Sequence, residues 1–370
     1  MTLLKTDWQP VTTFLDSAIA AGAAPGAVLG VSVAANRFVY AAGQLAAGDT
    51  TRAGPTTVYD LASLTKVVGL ATATMLAVHD GRLDLDGAVQ RYVPEFRGPG
   101  KERVTIRMLL AHASGMPAWR PLFREVATRE EGFALADSTP LDSVPGTSTV
   151  YSDLGAIILT QAIESVYHQR IDSLLEQRVF QPLGMTSVRF NPPSDEWNRI
   201  APTEFDAGRG RILRGEVHDE NAARMDGVSG HAGLFGNVLD LLTFAEWILE
   251  GWKEGKSEGG NAAGLRPSLP SFTPSLLQAF TRRQDLPPGS TRALGWDTPS
   301  SGGSAGRLLS PQSFGHTGFT GTSLWIDPQH EVAIVLLSNR VNPTRDNPRW
   351  APVRAAIADL VMTTVFEDLP

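Results

Sequence analysis

The sequence predicts an α/β fold of the α+β kind: one antiparallel sheet flanked by helices, drawn from both ends of the chain, with a mostly helical insertion between. Three observations carry this expectation. β-prone runs stand near both ends, at 26–34 ("GAVLGVSVA"), 37–43 ("RFVYAAG"), 322–326 ("TSLWI") and 331–338 ("EVAIVLLS"). Apolar residues at helical spacing fill the middle of the chain, and amphipathic helices close both termini.

The elements follow in order. Val11, Phe14, Leu15, Ala18 and Ile19 share one face of a first helix. The two N-terminal strand runs are separated by Ala35-Asn36, a hairpin turn. Residues 63–79 read as a helix with Gly81 at its C-cap. Further helices are expected at 105–111, 154–167, 171–178 and 239–249, and Gly/Ser/Pro-rich loops at 251–274 and 298–311. A turn through Asp327-Pro328-Gln329-His330 joins the last two strand runs, and 350–365 is a closing amphipathic helix. We expect one domain over 1–370, in which about 1–80 and 290–370 form the sheet-bearing part and about 81–289 the helical part.

Composition narrows the function. The 370 residues are 42% hydrophobic and 19% charged, as in a globular protein, and the net charge of −7 speaks against a nucleic-acid binder. The absence of cysteine excludes disulfides, thiolate metal sites and a cysteine nucleophile. "MTLLKTDWQPVTTFLDSAIAAG" lacks a basic start followed by an apolar run, so the expected location is cytoplasmic; a leader removed beforehand would instead place the protein in the periplasm or outside the cell. No stretch approaches the ~20 apolar residues of a membrane span.

Within 60–77, "DLASLTKVVGLATATMLA", one residue stands apart. Lys66 is one of only five lysines among 32 basic residues, and Leu61, Ala62, Val67, Val68 and Leu70 around it are apolar. Lys5, Lys101, Lys253 and Lys256 have charged, Gly-rich or polar neighbours, where a solvated ammonium is expected. A buried ammonium is costly unless it is paired or loses its proton. Ser63, three residues back, shares a helix face with Lys66, so its Oγ would meet the amine. Desolvation by Val and Ala side chains disfavours the ammonium and leaves an amine able to take the serine proton, making Ser63 a nucleophile without histidine. The plainer alternative has Lys66 reaching to the surface and Ser63 serving as an N-cap.

Two later stretches complete a pattern. "VYSDLG" supplies Tyr151-Ser152-Asp153, and "FGHTGFTGTSLWID" supplies His316-Thr317-Gly318 just ahead of a strand. Together with Ser63-x-x-Lys66 and with "TIRMLLAHASGMP" (105–117), "PLGMTSVRF" (182–190) and "SGHAGLFGNVLDLLTFAEWIL" (229–249), they make the chain resemble a known group. That group is the class C β-lactamase-related serine hydrolases: class C β-lactamases, low-molecular-weight penicillin-binding proteins and DD-peptidases, and family VIII carboxylesterases. The resemblance runs from about residue 10 to the C-terminus. It implies a β-lactamase/transpeptidase-like fold and an acyl-enzyme route on a small ester, amide or β-lactam, with no cofactor and no metal. By the same resemblance Ser63 is the nucleophile, Lys66 its proton acceptor, and Tyr151 the shuttle of protons to leaving group and water. The N–H groups of Ser63 and Phe319 would form the oxyanion hole. Asp153, His316, Thr317 and Gly318 would contact substrate, Gly318 by letting a substrate backbone lie close to the edge strand.

Two departures bear on substrate. The family's Tyr-x-Asn is Tyr-Ser-Asp here, and its Lys-Thr-Gly is His-Thr-Gly. An ionised Asp153 accepts a hydrogen bond but donates none. A histidine of pKa ~6.5 carries only part of a lysine's charge at neutral pH. Both changes lead us to expect a cleft less positive than the family's, and an ester hydrolase. A D-alanyl carboxypeptidase or D-amino-acid peptidase with weak β-lactamase activity is the second reading, and a silent member that binds peptidoglycan fragments or a partner is the third. Other motifs carry less. "GGSAG" (302–306) fits G-x-S-x-G around Ser304 but lacks the strand and helix that motif needs. His218, Asp219 and His231 are ligand types without a compact metal spacing and read as loop residues. His112 reads as a structural residue at a helix end, and "GVSGHAG" (227–233) as a glycine-rich turn behind the cleft. No phosphate-binding loop is present. Oligomeric state is not legible.

Overall fold

The computed structural model describes residues 6–253 and 272–366. Ten strands occur among them: β1 (Gly26–Val33), β2 (Asn36–Gly43), β3 (Tyr59–Asp60), β4 (Arg189–Phe190), β5 (Phe205–Asp206), β6 (Arg211–Ile212), β7 (Leu234–Gly236), β8 (Phe314–Thr317), β9 (Ser323–Asp327) and β10 (Val332–Ser338). Both ends of the chain meet in one five-stranded sheet of order β2-β1-β10-β9-β8, antiparallel throughout. Small sheets β3-β7-β4 and β5-β6 lie apart from it. Side chains alternate between faces along each strand. Ala333, Val335 and Leu337 join Val28, Phe314 and Leu324 in the core shared with the helical part of the chain. Val332, Ile334 and Leu336 join Leu29, Val31 and Trp325 in a second core, where residues of helices Gln9–Ala20 and Ala351–Val365 complete the packing. Helix Val238–Lys253 lies directly on β1: a Cβ on Gly30 would stand 2.5 Å from Val238 Cγ2, so that approach requires glycine.

Several expectations are corrected in detail. The β1–β2 register pairs Val33 with Asn36, so the turn is Ala34-Ala35, with both residues left-handed (φ 46 and 63). Tight hairpins need that backbone and usually advertise it with Gly or Asn; two alanines hid the turn by one residue. The strand expected after His316-Thr317-Gly318 is β9, but His316-Thr317 also ends an unexpected strand, β8, and Gly318 begins the turn between the two. Helix Arg129–Ser138 was missed although a Thr128/Glu131 capping box starts it. Helix Val238–Lys253 runs into the segment read as a loop at 251–274, of which 254–271 lie outside the described residues. The segment Ala62–His79 is long and apolar enough to cross a membrane, yet 83% of it is buried inside the fold, as a core helix is. Lys101, expected in solvent, is only 2% exposed.

Candidate active site

Ser63 sits where β3 leads into that buried helical segment. The segment opens with a tight turn, Ala62–Leu64, widens over Lys66–Ala71, and continues as regular helix through Thr72–His79. Ala62 has left-handed backbone (φ 47), a strained state for a residue with a Cβ. Neighbouring polar groups hold it. Asp60 Oδ1 accepts from Ala62 N (2.8 Å) and Asp60 Oδ2 from His218 N (2.7 Å). The hydroxyls of Thr320 and Thr322, just past the His-Thr-Gly triplet, donate to Asp60 O (2.7 Å) and Leu61 O (2.9 Å). Gly318 belongs to the same lock. A Cβ there would stand 2.1 Å from Thr322 Oγ1 and 2.5 Å from Leu61 O. Its bare Cα therefore makes room for the nucleophile turn, and Gly318 also lines the cleft where the sequence reading places a substrate contact.

Lys66 is 2% exposed; its Nζ donates to Ser63 Oγ (3.0 Å) and His231 O (2.9 Å) and forms an ion pair with Asp153 Oδ1 at 2.7 Å. Burial alone would lower the pKa, but the Asp153 carboxylate, aided by Tyr151, more than reverses this and holds Lys66 above the ordinary lysine value. The expected free amine is thus corrected: the resting residue is charged. Asp153 is the first residue of helix Asp153–Tyr167, whose N-cap Ser152 accepts from Gly155 N and donates to Pro117 O. Tyr151 lies just ahead of that cap. Its ring is 4.9 Å from Nζ, and its hydroxyl is buried without a hydrogen-bond partner. Burial pushes the phenol up, against the pull of Lys66.

Two histidines flank Tyr151. His112 Nδ1 accepts from Ser152 N (3.1 Å), which puts the ring proton on Nε2, and the ring lies 4.6 Å from that of Tyr151. Its structural role is as expected, directly behind the site. His316 Nδ1 donates to Thr317 O (2.8 Å), so Nε2 is the acceptor, and it is buried without a partner. Burial, then Arg292 and Lys66, push both imidazoles well below their ordinary value. His316 is therefore neutral at pH 7, not partly charged as expected.

These groups line a cleft of about 750 Å³ whose walls also carry Arg292, Arg340, Arg345 and Arg354. Arginines distant in sequence thus converge on the cleft, beside the carboxylates of Asp153, Asp219, Glu220 and Asp297. Arg345 is neutralised by Glu204 and Glu220. Arg292 lies 5.2 Å over the Tyr151 ring, and its nearest carboxylate, Asp297, is 3.9 Å away. Half-exposed Trp119 and Phe319 stand among the lining residues. Thr317 and Phe319 line the cleft as the sequence predicts. His218 and His231 do so as well, His218 bound to Glu204 (2.8 Å) and His231 held between Ser229 Oγ (2.8 Å) and Asp219 Oδ1 (2.9 Å). No cluster of metal-ligating side chains occurs among the described residues. Ser304 lies in a run of turns and takes no part in the cleft. Asp60, Arg292 and Arg354 escaped sequence reasoning. Asp153 is expected as a substrate contact, and its ion pair with Lys66 is not foreseen from sequence.

The fold and this cleft define a serine hydrolase class, and the chain belongs to the Beta-lactamase family, whose model matches residues 11–359. Among curated relatives, a protein of Salmonella typhi named "Putative D-alanyl-D-alanine carboxypeptidase" is 33% identical over 332 residues, covering 81% of this chain and 73% of the relative. The Salmonella agona protein of that name is 33% identical over 327 residues (80% and 72%). Solved structures of the same fold include EstCE1, a hydrolase with promiscuous acyltransferase activity (TM-score 0.75, 20% identity, 96% of this chain and 98% of that one). They also include a class C β-lactamase from Rhodobacter sphaeroides (TM-score 0.72, 21% identity, 97% and 100%).

Proposed function

We propose that the protein is a D-alanyl carboxypeptidase-type hydrolase that acylates Ser63 with a D-peptide and releases the residue bearing the terminal carboxylate. The observation that carries this reading is Arg292, a cleft guanidinium beside Tyr151 and His316 with no hydrogen-bonded carboxylate of its own. A substrate carboxylate would supply the missing partner in a bidentate pair. The 33%-identical relatives point the same way by name. Ser63 Oγ attacks the scissile carbonyl, and its proton passes to Lys66 as Lys66 hands one to Asp153. The oxyanion meets the N–H groups of Ser63 and Phe319. The Tyr151 hydroxyl protonates the departing amine and recovers a proton from Asp153 through Lys66; water then attacks the ester on Ser63, giving the peptide carboxylic acid and returning a proton to Ser63 Oγ.

Ester hydrolysis is the second reading, favoured by Asp153, which offers no donor to a substrate's acyl amide. One substitution separates the two. Arg292→Gln should lower kcat/KM for a D-alanyl-D-alanine peptide by about 10–100-fold, while p-nitrophenyl butyrate changes by less than about threefold. Because His316 is already neutral, the wild-type ratio of the two activities should stay flat from about pH 5.5 to 8. Equal losses on both substrates, with the ester turned over faster by wild type, would transfer the assignment to an esterase.

A further inference from the structure

A second cleft cation, Arg354, makes a different set of contacts. It is the fourth residue of helix Ala351–Val365, whose first turn holds no acidic residue. The positive end of a helix dipole disfavours a cation there. Burial, with Arg340 adding repulsion, lowers the guanidinium to about 10. Its Nε is enclosed without a partner, and no carboxylate among the described residues offsets its charge. One strong contact remains: Nη2 donates to Gly318 O at 2.6 Å.

Gly318 C=O and Phe319 N–H belong to the same peptide group. We infer that Arg354 is a positioning residue for the oxyanion hole, polarising and orienting the Gly318–Phe319 peptide so that Phe319 N–H donates to the reacting oxygen. A cation on a carbonyl oxygen draws electron density from the amide and strengthens its N–H as a donor. The surroundings fix the peptide plane. Gly318 N donates to Thr322 O (2.8 Å), Gly321 N donates to Gly318 O (3.2 Å), and Arg340 Nε holds the next carbonyl, Phe319 O, at 2.9 Å. A dipole already aimed before reaction is what stabilises a developing oxyanion most effectively. Arg354 is hydrogen-bonded to the backbone at Gly318, whereas Arg292 has only the long ion pair with Asp297 and the Tyr151 ring; that division assigns one cation to the transition state and leaves the other for substrate.

The inference rests on the hydrolase reading, so its test uses a neutral ester, a D-alanyl-D-alanine peptide and phenylboronic acid, which forms a tetrahedral anion on Ser63. Arg354→Met should lower kcat/KM about 10–50-fold on the ester and the peptide alike, mainly through kcat, and weaken the boronate by the same factor. Arg354→Lys, which keeps a cation near Gly318 O, should recover most of the loss; it also carries the test if thermal melting shows that the methionine variant does not fold. A loss confined to the carboxylate-bearing peptide would make Arg354 a substrate ligand and overturn the inference. So would unchanged boronate affinity in both variants. Wild-type protein that neither cleaves the ester nor binds the boronate would overturn the hydrolase reading along with it.

Discussion

Lys66 and Lys101 are equally buried, each 2% exposed, yet their surroundings drive them in opposite directions. Lys66 faces a carboxylate at 2.7 Å, and Asp153 holds it above the ordinary lysine value. Lys101 lies over the Phe96 ring and donates to the backbone O of Asp137, not to its carboxylate. Burial lowers its pKa, with only partial opposition from Asp137. Near Lys66, His112, His316, Arg292 and Asp219 add further charge or polarity, and the cleft opens to solvent. The difference shows that depth of burial does not set the state of an ionisable group; the placement of one opposite charge does.

Removing each ammonium is the most forceful way to break this comparison. Lys66→Met should cut Ser63 acylation by about 10³-fold or more, since the relay that carries the serine proton to Asp153 is lost. It should also destabilise the fold, though by less than the about 3–5 kcal/mol of a fully enclosed broken pair, because Asp153 faces the cleft. Lys101→Met should leave acylation within about twofold and stability unchanged or improved. Fluorophosphonate labelling rates and urea melts measure both. Comparable activity losses in the two variants would erase the distinction.

A subtler change sharpens it. Asp153→Asn turns Lys66 into a second Lys101, buried and without its carboxylate. The sign follows from the forces already present: once Asp153 is removed, burial and the nearby Arg292 remain, so the Lys66 pKa falls. In wild type Lys66 stays an ammonium across the neutral range and acylation should be nearly flat from about pH 6 to 9. In the variant, activity should require the free amine and rise up to about tenfold per pH unit below the lowered pKa. Parallel profiles would show that Asp153 has no part in proton transfer.

The residues that sequence reasoning recovered are those whose chemistry is local. Ser63 and Lys66 share a helix face, Tyr151 and Asp153 bracket one N-cap, and strand periodicity marks β1, β2, β9 and β10. What escaped depends on folding together distant segments. Arg292 and Arg354 enter one cleft from elements 62 residues apart by number, with no shared pattern, and Gly318 is shaped by Leu61, more than 250 positions away. The state of Lys66 was misread for the same reason: its apolar neighbours in sequence were visible, but its carboxylate partner came from another helix. Lys101 erred in the opposite sense, since Glu102 and Arg103 beside it suggest solvent while the fold encloses its side chain.

The smallest effect tests the other side of the comparison, the Lys101 neighbourhood. Asp137 is 2% exposed, and neither carboxylate oxygen has a hydrogen-bond partner. Burial, opposed in part by Gln161 and reinforced by Glu95, pushes the carboxyl up to about 6. A raised carboxyl binds its proton more tightly in the folded chain than in the unfolded one. Stability is therefore lost as pH rises from the ordinary carboxyl range through about 6, and the penalty is constant above that. Asp137→Asn removes it, and the new amide can donate to Gln161 Oε1, itself unpartnered. The variant should match wild type near pH 4 and exceed it by about 1–3 kcal/mol at pH 7.5, at one pKa unit per 1.36 kcal/mol. Urea melts at the two pH values read the difference directly. A gain of the same size at both would point to packing or hydrogen bonding, and a loss at pH 7.5 would mean that Asp137 is ionised and stabilised by Lys101, making the two lysine sites alike.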